Sequence, residues 1–161
     1  MGYVEQNLNA GERILYKTGL HSIVLLAPWL SGGLVIIFGI SLMIGAVAAK
    51  DGAIAGVALF MIGIGGGIIA LGIWSRNATE MAVTSKRIII KTGLIHKRTL
   101  ELFLSKVESV GVEQGLLGRM LNYGSIVVRG TGGTAEPFRK IRSPLEFRRQ
   151  VQQQSEAPAT M

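Results

Sequence analysis

His21 and His96 are the first residues to weigh for chemistry. A metal site needs three or four ligands at recurring spacings, and neither histidine has a carboxylate or a second histidine so placed. Cysteine is absent, which excludes disulfides, thiolate nucleophiles and cysteine-ligated metals. Gly130-Thr131-Gly132-Gly133 has the composition of a phosphate loop, but such loops join a strand to a helix whose amides face the anion. Strand-like residues flank this run on both sides, so it reads as a hairpin turn. Gly63-Ile64-Gly65-Gly66-Gly67 lies inside a long apolar segment and cannot serve as a nucleotide loop. No Gly-x-Ser-x-Gly nucleophile motif occurs, and no acid pair stands out. Asn77-Ala78-Thr79 fits the glycosylation pattern, but on the side of the membrane assigned below it is accidental. The chain is expected to have no catalytic residues, no cofactor and no metal, and not to be an enzyme.

Basic residues remain. Residues 76–161 hold 14 Lys/Arg against 7 Asp/Glu, whereas the first 21 residues sum to zero. Lys86, Arg87, Lys91, Lys97 and Arg98 gather around two turns, and Arg139, Lys140, Arg142, Arg148 and Arg149 lie near the end of the chain. A surface of this sign attracts anionic head groups, by about 1 kcal/mol per basic residue. Nucleic acid would be attracted too, but the aromatic platform that stacks bases is missing. The first five are therefore the candidate contacts to an anionic surface, with membrane lipids rather than nucleic acid as partner. A solvated basic face explains the same residues without a ligand.

These residues must be positioned by the elements around them, and two of those elements are membrane segments. Residues 22–49 and 52–75 carry no charge, and each exceeds the roughly 20 residues that cross about 30 Å of hydrocarbon. The first run is too long for a signal-peptide core and lacks a basic flank of the usual kind, so both helices are expected to stay. Only Lys50 and Asp51, or those two and Gly52, separate the helices, which forces an antiparallel hairpin. Arg13 and Lys17 precede the hairpin, and Arg76, Lys86, Arg87 and Lys91 follow it, against Lys50 alone at the tip. The positive-inside rule then places both termini in the cytoplasm of a multi-pass protein of the cell (inner) membrane. Trp29 and Trp74, the only tryptophans, fall at the cytoplasmic end as an aromatic belt would.

Glycine on these helices is not scattered. Gly52, Gly56, Gly63 and Gly67 fall within about 60° of one another at 100° per residue, with Ala70 alongside. Gly32, Gly39 and Ala46 recur every seven residues on the first helix. Small residues in line allow close helix contact. The seam of Gly52, Gly56, Gly63 and Gly67 is expected to pack the hairpin helices together, or one hairpin against another in a homo-oligomer.

Past Trp74 the apolar period changes to two. Strands are expected over Thr79–Thr84, Arg87–Lys91, Ile95–Leu104, Val107–Glu113, Ser125–Arg129 and Thr134–Phe138, with a short helical turn over Leu116–Leu121. The leader's Ile14-Leu15-Tyr16 admits a seventh strand. Ser143-Pro144-Leu145-Glu146 is a capping-box sequence, and Pro144, Phe147 and Val151 share one face of the helix it starts. Six or seven strands and then one amphipathic helix is the order of a pleckstrin-homology-like (PH-like) barrel: two orthogonal antiparallel sheets closed by a C-terminal α-helix. The domains read as a cytoplasmic leader over 1–21, a transmembrane hairpin over 22–75, a PH-like domain over 76–151 and a disordered tail over 152–161.

Residues 79–149 resemble the YdbS-like bacterial PH domain, domain of unknown function 304. The resemblance is carried by Val83-Thr84-Ser85-Lys86-Arg87-Ile88, by the run Glu101 to Glu108, by Gly118-Arg119-Met120-Leu121-Asn122-Tyr123-Gly124, and by Pro137-Phe138. Gly11-Glu12-Arg13-Ile14-Leu15 and the two helices also match the family layout. The resemblance implies a membrane-tethered PH-like fold acting as a non-enzymatic assembly or interaction domain at the cytoplasmic face, its protein partner unnamed. The alternative is binding of anionic lipid head groups. Lipid-binding PH domains gather basic residues around a long first loop, and here Ser85-Lys86 stands in that place, a departure from the pattern.

Overall fold

The switch of apolar period near residue 76 divides the protein into two units: residues 22–76 form one, and the segments on either side form the other. The computed structural model describes residues 3–93, 97–131, 133 and 135–156. His96, the first residues of the expected strands Ile95–Leu104 and Thr134–Phe138, Gly132 of the expected turn, and tail residues 157–161 lie outside the described residues. In chain order the elements are α1 (Tyr3–Gln6), β1 (Ile14–Gly19), a 3-10 turn (Ser22–Leu25), α2 (Leu26–Ala49), α3 (Gly52–Asn77), β2 (Glu80–Thr84), β3 (Arg87–Thr92) and β4 (Arg98–Phe103). A second 3-10 turn (Leu104–Lys106) follows, then β5 (Val107–Glu113), α4 (Leu116–Met120), β6 (Tyr123–Gly130), β7 (Ala135–Arg142) and α5 (Pro144–Glu156).

In the helical unit, Lys50 takes a left-handed conformation (φ 52°) and its amide closes α2 onto Ala46 and Val47. Asp51 then starts α3, its Oδ1 accepting from the amides of Ala53 at 2.9 Å and Ile54 at 3.2 Å, as an N-cap residue does. Only 11% of the most apolar window of each helix is buried, unlike the core helix of a soluble protein. Both helices are long and apolar enough to cross a membrane.

The contact between the helices corrects half of the glycine reading. Gly32, Gly39 and Ala46 of α2 are buried, as their seven-residue recurrence suggests. The close-approach residues on α3, however, are Ala58, Gly65 and Gly72, also seven apart, which meet Gly39, Gly32 and Pro28 of α2. A Cβ on Gly65 would lie 2.7 Å from the Gly32 carbonyl oxygen, one on Gly39 3.1 Å from that of Ala58, and one on Gly72 2.6 Å from Pro28. Gly52, Gly56, Gly63 and Gly67 have open space around them. They do not pack the hairpin helices together, because α2 meets the face of α3 that repeats in step with its own.

In the other unit, the order β1-β2-β3-β4 makes a four-stranded sheet and β5-β6-β7 a three-stranded one, all antiparallel. Met81, Val83, Ile88 and Ile90 of the first sheet, Ile126, Val128 and Ile141 of the second, and Phe147 and Val151 of α5 form one core. The sheets do not close into the expected barrel. The Leu104–Lys106 turn carries the chain from β4 to β5 without pairing them, and at the opposite corner a single bridge, Leu20 to Ile141, joins the first sheet to β7.

Two boundaries also move. The leader is no separate segment, since β1 pairs with β2 from Ile14 opposite Thr84 to Gly19 opposite Glu80. Helix α5 runs to Glu156, five residues into the expected tail. Its start at Pro144 is as expected, but Glu146 pairs forward with Gln150 and Arg149, while the Ser143 hydroxyl takes the Asn122 side-chain amide at 3.0 Å. One further consequence is topological. The whole hairpin is inserted between β1 and β2, so the first loop of this PH-like domain is residues 20–79 and not Ser85-Lys86.

Candidate functional site

The five candidate residues do not form one patch. Arg87 opens β3 and Lys91 nears its end, a separation of about 13 Å at 3.3 Å per residue. The register sets Lys91 beside Thr99 and Thr92 beside Arg98. Lys86 and Arg87 thus belong to one end of the sheet, and Lys91, Lys97 and Arg98 to the other.

Arg87 is withdrawn from the surface altogether. Its side chain is 10% exposed and that of Glu12 is 0% exposed. The guanidinium grips Glu12 through Nε at 3.0 Å and Nη2 at 2.9 Å. Nη1 donates to Glu101 at 2.6 Å, and Nη2 also donates to the Asn7 carbonyl at 2.8 Å. Thr84 completes the network, its hydroxyl donating to Glu12 at 2.6 Å. Burial pushes the Glu12 carboxyl up, but hydrogen bonds from Arg87, Thr84 and the Asn9 amide outweigh it and hold the group below its ordinary value. The hydrogen bond to Glu12 is the main reason the Arg87 guanidinium is held above its own. Arg87 cannot contact an anionic surface, because its donors are spent on fastening the leader to the sheet.

Two more of the five are engaged. The Lys91 ammonium sits 4.9 Å from the centre of the Tyr3 ring, a cation–π contact, and Arg98 pairs with Glu136. Lys86 and Lys97 are exposed and make no ion pair among the described residues. For Arg87 and Lys91 sequence reasoning missed the reason for this engagement, which is the leader; Glu136, the partner of Arg98, lies on β7. Helix α1 covers the outer face of the first sheet, with Val4 fully buried against Ala82 and Ile89. Glu80 accepts from the amides of Tyr3 and Val4 and pairs with Lys17 at 3.3 Å, and Lys17 also holds Glu5 at 2.8 Å. Burial raises the Glu80 carboxyl, yet those amides and Lys17 bring it below its ordinary value.

The other end of the domain is where the chain enters and leaves the helices. There the His21 amide donates to the Lys140 carbonyl at 2.8 Å, Thr18 Oγ1 donates to the Arg142 carbonyl at 2.8 Å, and the His21 ring stacks on Tyr123 at 5.2 Å. Leu20, Thr79, Thr92, Arg98, Glu136 and Arg139 border a cleft of about 620 Å³ at this end. Its lining offers an arginine–carboxylate pair, a second arginine and apolar walls. That set can bind an amphipathic or anionic group, but it contains no nucleophile beside a base. Among the described residues no group of three or more His, Asp or Glu side chains could hold a metal.

Comparison with known protein families matches the bacterial PH domain family model to residues 22–155. The chain belongs to the bacterial PH domain family. No curated protein and no solved structure matches it. In this bacterial PH domain protein the match takes in both apolar helices along with six of the seven strands. Strand β1 and the Glu12–Arg87 pair lie wholly or partly outside it, although they complete the first sheet.

Proposed function

We propose that this protein is a membrane-anchored interaction module. In this reading the hairpin spans the cell membrane, both chain ends are cytoplasmic, and the PH-like domain assembles with protein partners there without catalysing a reaction. The observation that supports it is the insertion of α2 and α3 between β1 and β2, neighbouring strands of one sheet. Leu20-His21 and Ala78-Thr79 are the only residues between those strands and the helical segment, so the domain is tethered twice through one pair of strands. The charge asymmetry around the hairpin supports the orientation. Within the family, the runs Glu101–Glu108 and Gly118–Gly124 favour the YdbS-like type.

Assembly is favoured over chemistry by the open sheets. Strands β4 and β5 each have a neighbour on one side only, and an unpaired edge is a template for an added strand. A photo-reactive residue at Glu101 or Phe103 on β4, or at Glu108 or Ser109 on β5, should cross-link to a discrete protein in native membranes, identified by mass spectrometry. The adduct should disappear when the same edge is made unpairable. Edge positions that capture no protein would refute the reading.

A further inference from the structure

We propose that α4 is a docking knuckle that sinks into the head-group region of an anionic bilayer. The proposal rests on the membrane reading above and goes beyond it by naming the part of the domain that touches lipid. Four large apolar side chains project here: Leu116 and Met120 are 82% exposed, Leu117 67% and Leu121 47%. Nowhere else in the described β unit do so many lie together uncovered. The turn that presents them is built firmly. A Cβ on Gly118 would lie 2.6 Å from the Tyr123 carbonyl oxygen and one on Gly124 2.6 Å from that of Glu113, and Gln114 Nε2 donates to the carbonyls of Tyr123 and Gly118. A floppy loop could fold its leucines back against the domain; this one is held too tightly to do so.

Two observations select a lipid surface as the occupant. The first is position within the domain. Tyr123, against which α4 is packed, stacks on His21, the last residue before the helical segment, and His21 bonds to Lys140. The knuckle therefore belongs to the end of the domain from which the chain departs for the helices. The second is charge. Arg119 lies on α4, and Arg139 and Lys140 share a shallow cavity with Leu116 and Leu117, where Glu113 is the one carboxylate. Arg119, Arg139 and Lys140 are exposed and make no ion pair among the described residues. Apolar side chains ringed by cations suit a surface that is apolar a few ångströms down and anionic at its face.

The absence of cysteine makes the test direct. Single cysteines replacing Leu116, Met120, Ile44 or Glu108 in the full chain carry an environment-sensitive fluorophore, in vesicles of phosphatidylcholine and phosphatidylglycerol with lipid-borne quenchers. Labels at 116 and 120 should shift to the blue and be lost to a shallow quencher, the label at 44 to a deep one, and the label at 108 to neither. In vesicles of phosphatidylcholine alone the signal at 120 should fall, as it should when Arg119, Arg139 and Lys140 are all changed to Gln, each cation being worth about a fivefold factor in docking. A water-exposed label at 120 beside a quenched label at 44 overturns the docking proposal and leaves the membrane reading standing. An unquenched label at 44 overturns both. Labels at 120 that are shielded but unquenched, and cross-link between copies, make α4 a protein interface instead. Equal quenching in neutral and anionic vesicles overturns the role assigned to the cations.

Discussion

Replacing Arg87 by Met removes the cation from a carboxylate that water does not reach. The Glu12 side chain is 0% exposed and that of Glu101 is 37% exposed. Breaking a buried pair from one side costs about 3–5 kcal/mol, because the other charge is left without compensation. Glu101 regains water, so its share is at most about 1 kcal/mol. Thr84 and the Asn9 amide still hold Glu12, which puts the sum near the lower bound, about 3 kcal/mol. That is a factor of roughly 150 in an opening equilibrium. Amide hydrogen exchange of β2 and β3 in the full chain, in detergent or nanodiscs, should speed up by about two orders of magnitude. Arg87→Lys should fall between, since an ammonium cannot make the two-pronged grip. The pair Glu12→Gln and Arg87→Met should recover part of the loss.

The pH dependence carries the sign of the same argument. In the native protein the Glu12 carboxyl is held below its ordinary value. Its contribution is therefore present above the unfolded value of about 4.3 and is lost as pH falls through the folded one. Without Arg87, burial becomes the dominant influence and pushes the carboxyl up, so the sign reverses. Protection in Arg87→Met should then improve on acidification from neutral pH toward about 5, where the wild type gains nothing from this group. Unchanged exchange in Arg87→Met, or no recovery on acidification, would refute the buried-pair reasoning.

Three other outcomes follow from the same structure. A reporter fused after the last residue should behave as cytoplasmic and a label at Lys50 should be reached from outside; a periplasmic reporter signal would invert the topology. Gly65→Leu should break the helix contact, because its Cβ has 2.7 Å to the Gly32 carbonyl oxygen, whereas Gly63→Leu and Gly67→Leu meet open space. Cross-linking between cysteines on the two helices distinguishes them, and any effect of the latter pair should be confined to association between copies. Neutralising Lys86 and Lys97 together should weaken binding to anionic vesicles by about 2 kcal/mol at most, in a salt-dependent way; a large, salt-independent loss would revive a specific head-group site there.

Much of the fold was legible because its signals are periodic. The charge-free runs mark the two helices, and alternation marks six strands, with Met81 and Val83 facing the core as their spacing requires. The leader was not legible in this way. Ile14-Leu15-Tyr16 is too short to fix a strand by itself, and it became β1 only through pairing with β2, some 65 residues on. Helix α1 has four residues, below the length at which a local pattern means anything. Charge counting failed at Arg87 for a related reason. A leader that sums to zero looks inert, but Glu12 and Glu80 each hold a group from the far side of the hairpin insertion. The outward glycines were misleading because a line of glycines shows where a helix can be approached closely, not which neighbour approaches. That is decided by the matching repeat on α2.

The leader also explains how a sheet can tolerate so long an insertion between neighbouring strands. Closing a flexible loop of sixty residues costs several kcal/mol of entropy before β1 and β2 can pair. Here the insertion is an antiparallel hairpin held by Gly32 on Gly65, Gly39 on Ala58 and Pro28 on Gly72, so the two ends of the insertion return close to one another once it has formed. What pairing then gains is a short strand, a four-residue helix and one apolar anchor, Val4. Those alone would fray. The bidentate Arg87–Glu12 grip, with Lys17 bonded to both Glu5 and Glu80, fastens the leader across that gap. Arg87, which sequence assigns to a ligand, is thus spent on holding the strand that enters the helical segment in the sheet. The cations left over, Arg119, Arg139 and Lys140 among them, border the apolar knuckle at the end where the chain departs.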